Sequence, residues 1–132
     1  MPIQNDWLVP NAVIFSHYAG ATTEEELIDS TKSVNAMIDS SDSPFVHIIV
    51  DSTAVTTSPP LPVTIKVAKS SPSHERAGWL LTVGGQNTVV KFAMSVARQL
   101  LKARTQNFET LPEAIAFLQS MDETIDWSQA RT

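Results

Sequence analysis

The apolar and polar positions of this chain follow two periods, one typical of strands and one typical of helices. From residue 12 to residue 18 they alternate, which places Val13, Phe15 and His17 on one face of a predicted strand. Residues 7–9 form a shorter strand before a turn at Pro10-Asn11. The runs PFVHIIVD (44–51) and GWLLTV (78–83) are almost continuously apolar, as is typical of strands covered on both faces.

Helical patterns separate these predicted strands. Thr23 and Glu26 have the spacing of a capping box, so a helix begins here and ends in the segment 40–44. A second long helix is predicted over residues 88–102, and its polar side carries Lys91, Arg98 and Lys102. The last helix begins at Thr110-Leu111-Pro112-Glu113, where a capping threonine precedes an early proline and an acid.

Four further segments complete the prediction. Residues 52–62 are predicted to form a loop, because their prolines cannot donate to a central ladder. Residues 61–69 fit both a strand and a helix, and we favour a helix because parallel strands need a crossover. Residues 103–108 are predicted to form a short edge strand. Residues 122–132 are expected to fray unless Ile125 and Trp127 dock on the core.

The order of these elements predicts an α/β fold. We expect a single domain over residues 1–132, with one mixed, mostly parallel sheet of about five strands and about four helices. A chain of this length can bury one core without disulfides or a metal.

Composition narrows the range of function classes. The chain has no cysteine, which excludes disulfides, thiolate metal sites and thiol catalysis. A formal net charge of -5 argues against a nucleic-acid-binding protein. The amino terminus lacks the pattern of a signal peptide, and no window is apolar enough to span a membrane. We therefore expect a soluble, cytoplasmic protein.

Candidate chemistry is sparse. Asp51, Ser52 and Thr53 lie at the carboxyl end of the predicted central strand, where they form either a polar site or a set of groups that satisfy the local backbone. Gly84-Gly85 before a helix indicates an anion site or a tight turn that needs positive φ. The three histidines lack the spacing of a helical metal motif, and no G-x-S-x-G nucleophile motif occurs. The sequence indicates no catalytic residue, cofactor or metal.

Three segments give the chain a resemblance to a known family. IIVDSTAV, GWLLTVGG and NFETLPEAIAFL occur in the order and spacing of strand 3, strand 4 and the last helix of STAS-like proteins. Over residues 7–118 the chain resembles the relatives of the anti-sigma-factor antagonists, in particular their divergent bacterial SpoIIAA-like branch. This resemblance implies a bacterial, non-enzymatic module that binds a protein partner and whose sheet can form a homodimer.

The resemblance also shows where this chain differs from the regulatory members of that family. Residues 51–55 loosely match the first part of their strand 3 loop, but Ser58-Pro59-Pro60-Leu61 replaces the part that carries a phosphorylatable serine. The expected acceptor position falls near Pro60, which has no hydroxyl, so the usual phosphoserine switch is predicted to be lost. Thr57 and Ser58 are the hydroxyls that could replace it.

The predicted contact loop therefore comprises Asp51, Ser52, Thr53, Thr57, Ser58 and Leu61, and the basic residues Lys91, Arg98 and Lys102 form a second predicted patch. Two alternatives stay open. One is a small-ligand or lipid-binding domain with an apolar pocket near residues 61–69, similar to SEC14-type lobes. The other is an enzyme that uses Asp51 with His47 or His74, which requires these side chains to meet in one cleft.

Overall fold

One five-stranded sheet organises the protein. The computed structural model describes residues 3–57, 62–63, 66, 75–84 and 105–130, with the side chains of residues 55–57 left out of the description. The strands, in chain order and in spatial order, are β1 (Ile3–Val9), β2 (Val13–Ala21), β3 (Val46–Thr57), β4 (Ala77–Val83) and β5 (Thr105–Phe108).

Most of the strand pairings are parallel. β1 and β2 form an antiparallel hairpin, and each following pair of neighbours in the sheet is parallel. The hairpin turn includes Asn11, whose φ of 66° lies in the left-handed region that asparagine tolerates. β3 is the central strand, and its buried residues face both sides of the sheet. The prediction of a mixed, mostly parallel sheet of five strands is confirmed.

Helix α1 (Glu24–Ser40) covers one face of the sheet. The predicted capping box is confirmed: Thr23 Oγ1 accepts from the N–H of Glu26, and a Glu26 carboxylate oxygen accepts from the N–H of Thr23. Ile38 is fully buried and packs with Ile14 and Val46 in the cluster between α1 and the sheet. This helix is therefore fixed at its amino end by its own sequence and along its length by the sheet.

The carboxyl end of α1 is capped by a residue from a distant part of the chain. The guanidinium of Arg76 donates to the carbonyl oxygens of Ile38 at 2.6 Å, Ser41 at 2.9 Å and Ser43 at 3.0 Å. The last turn of α1 contains no basic residue of its own. Because the last carbonyls of a helix have no partners within the helix, Arg76 provides both hydrogen bonds and a favourable charge there.

The carboxyl-terminal part of the chain covers the other face of the sheet. Helix α2 (Leu111–Met121) begins with Thr110 as its cap and proline in the first turn, as predicted. It buries Ala114 and Leu118 in the larger core cluster. A 3₁₀ turn (Trp127–Gln129) follows, and Ile125 and Trp127 belong to the same cluster. The segment 122–130 therefore docks on the core.

Some boundaries differ from the prediction. β1 begins at Ile3 rather than at residue 7, and β2 continues through Gly20 to Ala21 with two irregularities in its pairing to β3. The prediction of a loop directly after Asp51 is wrong, because β3 continues to Thr57 and pairs there with the extended end of β2.

In the segment 61–69, which fitted both a strand and a helix, the described residues Pro62, Val63 and Lys66 are helical, and this favours the helix. The predicted helix 88–102 lies outside the described residues.

Candidate functional site

Asp51, Ser52 and Thr53 lie within the carboxyl half of β3, on a strand rather than on a loop. One carboxylate oxygen of Asp51, Oδ1, accepts from the N–H of Thr53 at 3.0 Å and from its hydroxyl at 2.7 Å. The buried hydroxyl of Ser52 donates to the carbonyl of Val83 on the neighbouring strand, at 3.3 Å. Thr53 and Ala54 are exposed. The hydrogen bonds of Asp51 and Ser52 therefore hold the segment 51–54 of β3 in place, and the side chains of Thr53 and Ala54 are exposed on it.

Gly84 packs directly against Thr53 of this segment. Its φ of 98° is unfavourable for residues with a side chain, and its N–H donates to the carbonyl of Phe108. A Cβ atom at position 84 would lie 2.6 Å from Cγ2 of Thr53 and 3.1 Å from its backbone nitrogen. The prediction of a tight turn that needs positive φ is confirmed at Gly84, while Gly85 lies outside the described residues.

A second polar cluster lies at the amino end of β3. His47 is buried, and its Nδ1 accepts from the N–H of Trp79 at 2.9 Å. An atom that accepts a hydrogen bond from an N–H carries no proton, so Nε2 carries it. Nε2 lies 2.8 Å from Oδ2 of Asp122 and donates to that carboxylate. The imidazole is therefore neutral in this arrangement and connects β3, β4 and the segment after α2.

Asp122 is held in its charged form by this cluster. Burial acts to raise the pKa of Asp122, but hydrogen bonds from Thr124 and from His47 outweigh it and bring the pKa below its ordinary value. The N–H of Thr124 donates to the second carboxylate oxygen at 3.0 Å, and its hydroxyl donates there as well. Both oxygens of Asp122 are thus occupied by partners within the protein.

Gly78 makes room for the imidazole ring. A Cβ atom there would lie 2.4 Å from Nδ1 of His47 and 2.6 Å from its Cε1. The pairing of β3 with β4 shifts its register at this point, and the ring of His47 takes the place of a backbone acceptor for Trp79. His47 is thus a packed and hydrogen-bonded residue of its strand. Its partner Asp122, which lies 75 positions further along the chain, was missed.

Comparison with known proteins identifies the architecture. No family model and no curated protein matches the sequence. Among solved structures, the chain is similar to a protein of the DUF3478 family from Shewanella loihica PV-4, described as having a SpoIIAA-like fold. The two chains share 15% identity and a TM-score of 0.61, over 88% of this chain and 91% of that one. The chain has a STAS-like fold of the SpoIIAA type.

A second solved structure supports the same assignment. It is the anti-sigma factor antagonist SpoIIAA in its unphosphorylated form, with 11% identity and a TM-score of 0.58. The match covers 89% of this chain and 96% of that one. At such identities the likeness establishes the STAS-like fold, and the resemblance inferred from the sequence is confirmed at that level.

The described part of the STAS-like domain contains only some of the predicted contact residues. Thr57 ends β3, while Ser58, Leu61 and the predicted pocket near residues 61–69 lie largely outside the described residues. The three basic residues Lys91, Arg98 and Lys102 lie outside them as well. Of the predicted contact residues, the described part of the chain therefore contains Asp51, Ser52, Thr53 and the backbone of Thr57.

The structure does not bring Asp51 and His47 together. They are four residues apart on one strand, which corresponds to about 13 Å at the usual rise per residue. Each is hydrogen-bonded to another residue, Asp51 to Thr53 and His47 to Asp122. His74 lies outside the described residues. No group of three or more histidine, aspartate or glutamate side chains suited to a metal occurs in the part of the chain that the structure describes.

Proposed function

We propose that this STAS-like domain is a non-catalytic regulatory module of the bacterial cytoplasm that acts by binding a protein partner. The observation that carries the proposal is the match over almost the whole chain to the fold of an anti-sigma factor antagonist. That protein is an antagonist of an anti-sigma factor, which is itself a protein. No described helix is both long and apolar enough to cross a membrane.

The carboxyl half of β3 is the surface that we propose for the contact. β4 ends at Val83, which pairs with Asp51, so among the described strands only β2 pairs with the rest of β3. Thr53 and Ala54 are exposed on this segment, and the bonds of Asp51 and Ser52 hold it in place. A rigid strand with exposed side chains binds a partner without a large loss of conformational entropy. Lys91, Arg98 and Lys102 are the proposed second patch.

We also propose that binding is not controlled by the usual phosphoserine. The support is in the sequence, where Pro60 stands near the position of the acceptor and offers no hydroxyl. Thr57 and Ser58 are the nearest hydroxyls that a kinase could use instead. The partner is therefore expected to bind the unmodified chain.

The hydrogen bonds of His47 support a non-catalytic role. A general base needs a free acceptor that can reach the proton of a substrate. In His47 the unprotonated nitrogen already accepts from the N–H of Trp79, and the other nitrogen donates to Asp122. The imidazole is therefore engaged within the folded structure.

The test compares two matched alanine-to-arginine variants. Ala54 is exposed on β3 and Ala116 is exposed on α2. Wild type, Ala54→Arg and Ala116→Arg are immobilised in equal amounts, and the proteins that each retains from a native lysate are quantified by mass spectrometry. We expect a partner that wild type and Ala116→Arg retain equally and that Ala54→Arg retains at least about tenfold less, the effect of about 1.4 kcal/mol. Equal retention by all three chains, or a measured turnover by the purified protein, would overturn the proposal.

A further inference from the structure

Five side chains of β1, β2 and β3 form a solvent-accessible area on the side of the sheet where α2 packs. In the antiparallel hairpin, Asp6 lies opposite Phe15. Gln4 lies opposite His17, whose partner on β3 is Asp51. Residues paired in this way share a face of the sheet, and Phe15 packs against the core cluster that contains α2. Gln4 and Asp6 are exposed and the other three are half-buried. We name these five residues the β1–β3 face.

Two aromatic rings form the centre of the β1–β3 face. The rings of Phe15 and His17 are close to parallel, with 25° between their planes and 6.5 Å between their centroids. The contact of Phe15 with the core cluster holds its ring against the sheet. A half-exposed aromatic ring attracts a cation through its negative π-face. The centre of this face therefore suits a flat cation.

The charge of the β1–β3 face is negative. Among the residues that the structure describes, the carboxylate of Asp6 has no hydrogen-bond or ion-pair partner. In Asp51 only Oδ1 is engaged, by Thr53, so Oδ2 is available to a ligand. The described lysine and arginine residues lie in or beside α1, on the other side of the sheet, and are Lys32, Lys66 and Arg76. No described cation neutralises this face.

We infer that the β1–β3 face binds arginine side chains of the protein partner. A guanidinium is planar and always charged, stacks on aromatic rings and forms paired hydrogen bonds with a carboxylate. Asp6 on β1 and Asp51 on β3 lie on opposite sides of the two rings. The usual strand spacing and rise put these carboxylates about 12 Å apart, so the face suits two arginines of one segment. Lysine fits less well, because its ammonium group is compact and strongly hydrated.

This inference rests on the proposed function and deepens it. Asp51 belongs to the β1–β3 face and also begins the segment 51–57 of β3 that we propose for the contact. A partner that covers this segment of β3 therefore reaches the carboxylate of Asp51, and its neighbouring residues reach β2 and β1. The partner's contact segment is thus expected to be basic and rich in arginine.

The first experiment is an NMR titration of the purified full chain at low salt. The probe is a blocked pentapeptide with arginine at its second and fourth positions and glycine elsewhere. Matched peptides carry lysine, or citrulline, which keeps the planar group without its charge. We expect saturable amide shifts centred on residues 4–6, 15–17 and 49–51. The arginine peptide should bind at least about tenfold more tightly than the citrulline peptide and about two- to fivefold more tightly than the lysine peptide. Equal affinities, or shifts that do not saturate on this face, would overturn the inference.

The second experiment repeats the titration with variants of the chain. Asp6→Asn removes one carboxylate and Phe15→Leu removes one ring, so each should weaken binding of the arginine peptide about two- to fivefold. Gln4→Glu adds a carboxylate to the face and should strengthen binding by a similar factor. The controls make the same charge changes at exposed positions of the two helices: Asp29→Asn on α1 and Gln119→Glu on α2 should leave the affinity unchanged.

These titrations and the lysate experiment fail separately. If Asp6→Asn binds the arginine peptide as tightly as Asp29→Asn does, the β1–β3 face does not recognise arginine, whatever Ala54→Arg retains from the lysate. If the peptide binds on this face while Ala54→Arg retains every partner, the contact proposed for β3 is wrong and the arginine site stands.

Discussion

Replacing Gly78 by alanine tests the account of the His47 cluster. The new Cβ atom would lie 2.4 Å from Nδ1 of His47, a separation that real Cβ atoms do not show. The ring cannot move freely, because it is only 4% exposed and hydrogen-bonded on both sides. We expect a loss of about 1–3 kcal/mol from overpacking and about 1 kcal/mol more from the weakened hydrogen bond of Trp79. The total of roughly 2–4 kcal/mol corresponds to a fall in Tm on the order of 10 °C.

A double-mutant cycle separates this collision from other effects of the substitution. Gly78 does not have positive φ, so alanine at that position is not strained by its backbone. In a His47→Ala background, Gly78→Ala should therefore be neutral or stabilising by roughly 0.5–1 kcal/mol, the usual preference for alanine over glycine in a strand. Gly20→Ala is the control: its φ is 65° and no atom lies within 4 Å of the new Cβ, so its cost should be the same in both backgrounds. Thermal unfolding of the six chains, which are the two backgrounds and each glycine variant in both, measures these values. A neutral Gly78→Ala, or an equal loss in both backgrounds, would refute the steric argument.

Two further predictions concern ionisation. Folding lowers the pKa of Asp122, so its ionised carboxylate stabilises the folded chain fully at a pH above its pKa in the unfolded chain, about 4. This stabilisation is lost as the pH falls through the lower pKa of Asp122 in the folded chain. Asp122→Asn should cost about 1 kcal/mol near pH 7, and its Tm should converge with that of wild type in acid; a difference independent of pH would contradict this. Burial raises the pKa of Tyr18, and a hydrogen bond with Ser30 partly opposes this, so the phenol should ionise above pH 10 and its stabilising effect should be lost as the pH rises. Tyr18 is the only tyrosine, so the ultraviolet absorbance of the phenolate reports it directly, and a midpoint at or below 10 would show that the site is solvated.

Local signals in the sequence predicted much of the fold. Thr23 and Glu26 identified the start of α1 because a capping box involves residues three positions apart. Thr110 and Pro112 identified the start of α2 in the same way. The apolar run 44–51 predicted a strand covered on both faces, and its residues from Val46 onward form the first half of β3, the central strand.

The outer strand β1 and the carboxyl end of β3 were harder to predict, because polar residues are tolerated at both places. The first half of β1 was not predicted, because it contains the polar residues Gln4, Asn5 and Asp6. The exposed side of an edge strand needs no apolar residue. The prolines after residue 58 suggested a loop directly after Asp51. The residues before these prolines keep their N–H groups, however, and they pair with a β2 strand that is longer than its sequence pattern indicated.

The interactions that fix the two polar clusters and the end of α1 could not be inferred from local patterns. Arg76 caps a helix 38 positions earlier in the chain, and His47 bonds to Asp122 only because the fold brings β3 next to the end of α2. Gly78 was the one available signal, as a glycine at the start of a buried strand often marks a close approach. For the contact surface, the sequence placed Asp51, Ser52 and Thr53 at the carboxyl end of the central strand but began a loop at Ser52, whereas β3 continues to Thr57.

The most direct test of the proposed function is the hydrogen-exchange footprint of the partner. Amide exchange of the chain is measured alone and in complex with the protein that wild type retains and Ala54→Arg loses. Our account predicts that binding slows exchange in residues 51–57 of β3 and leaves the segment 122–130 unchanged. Protection confined to the segment 122–130 and the amino end of β3, with no change in residues 51–57, would contradict it.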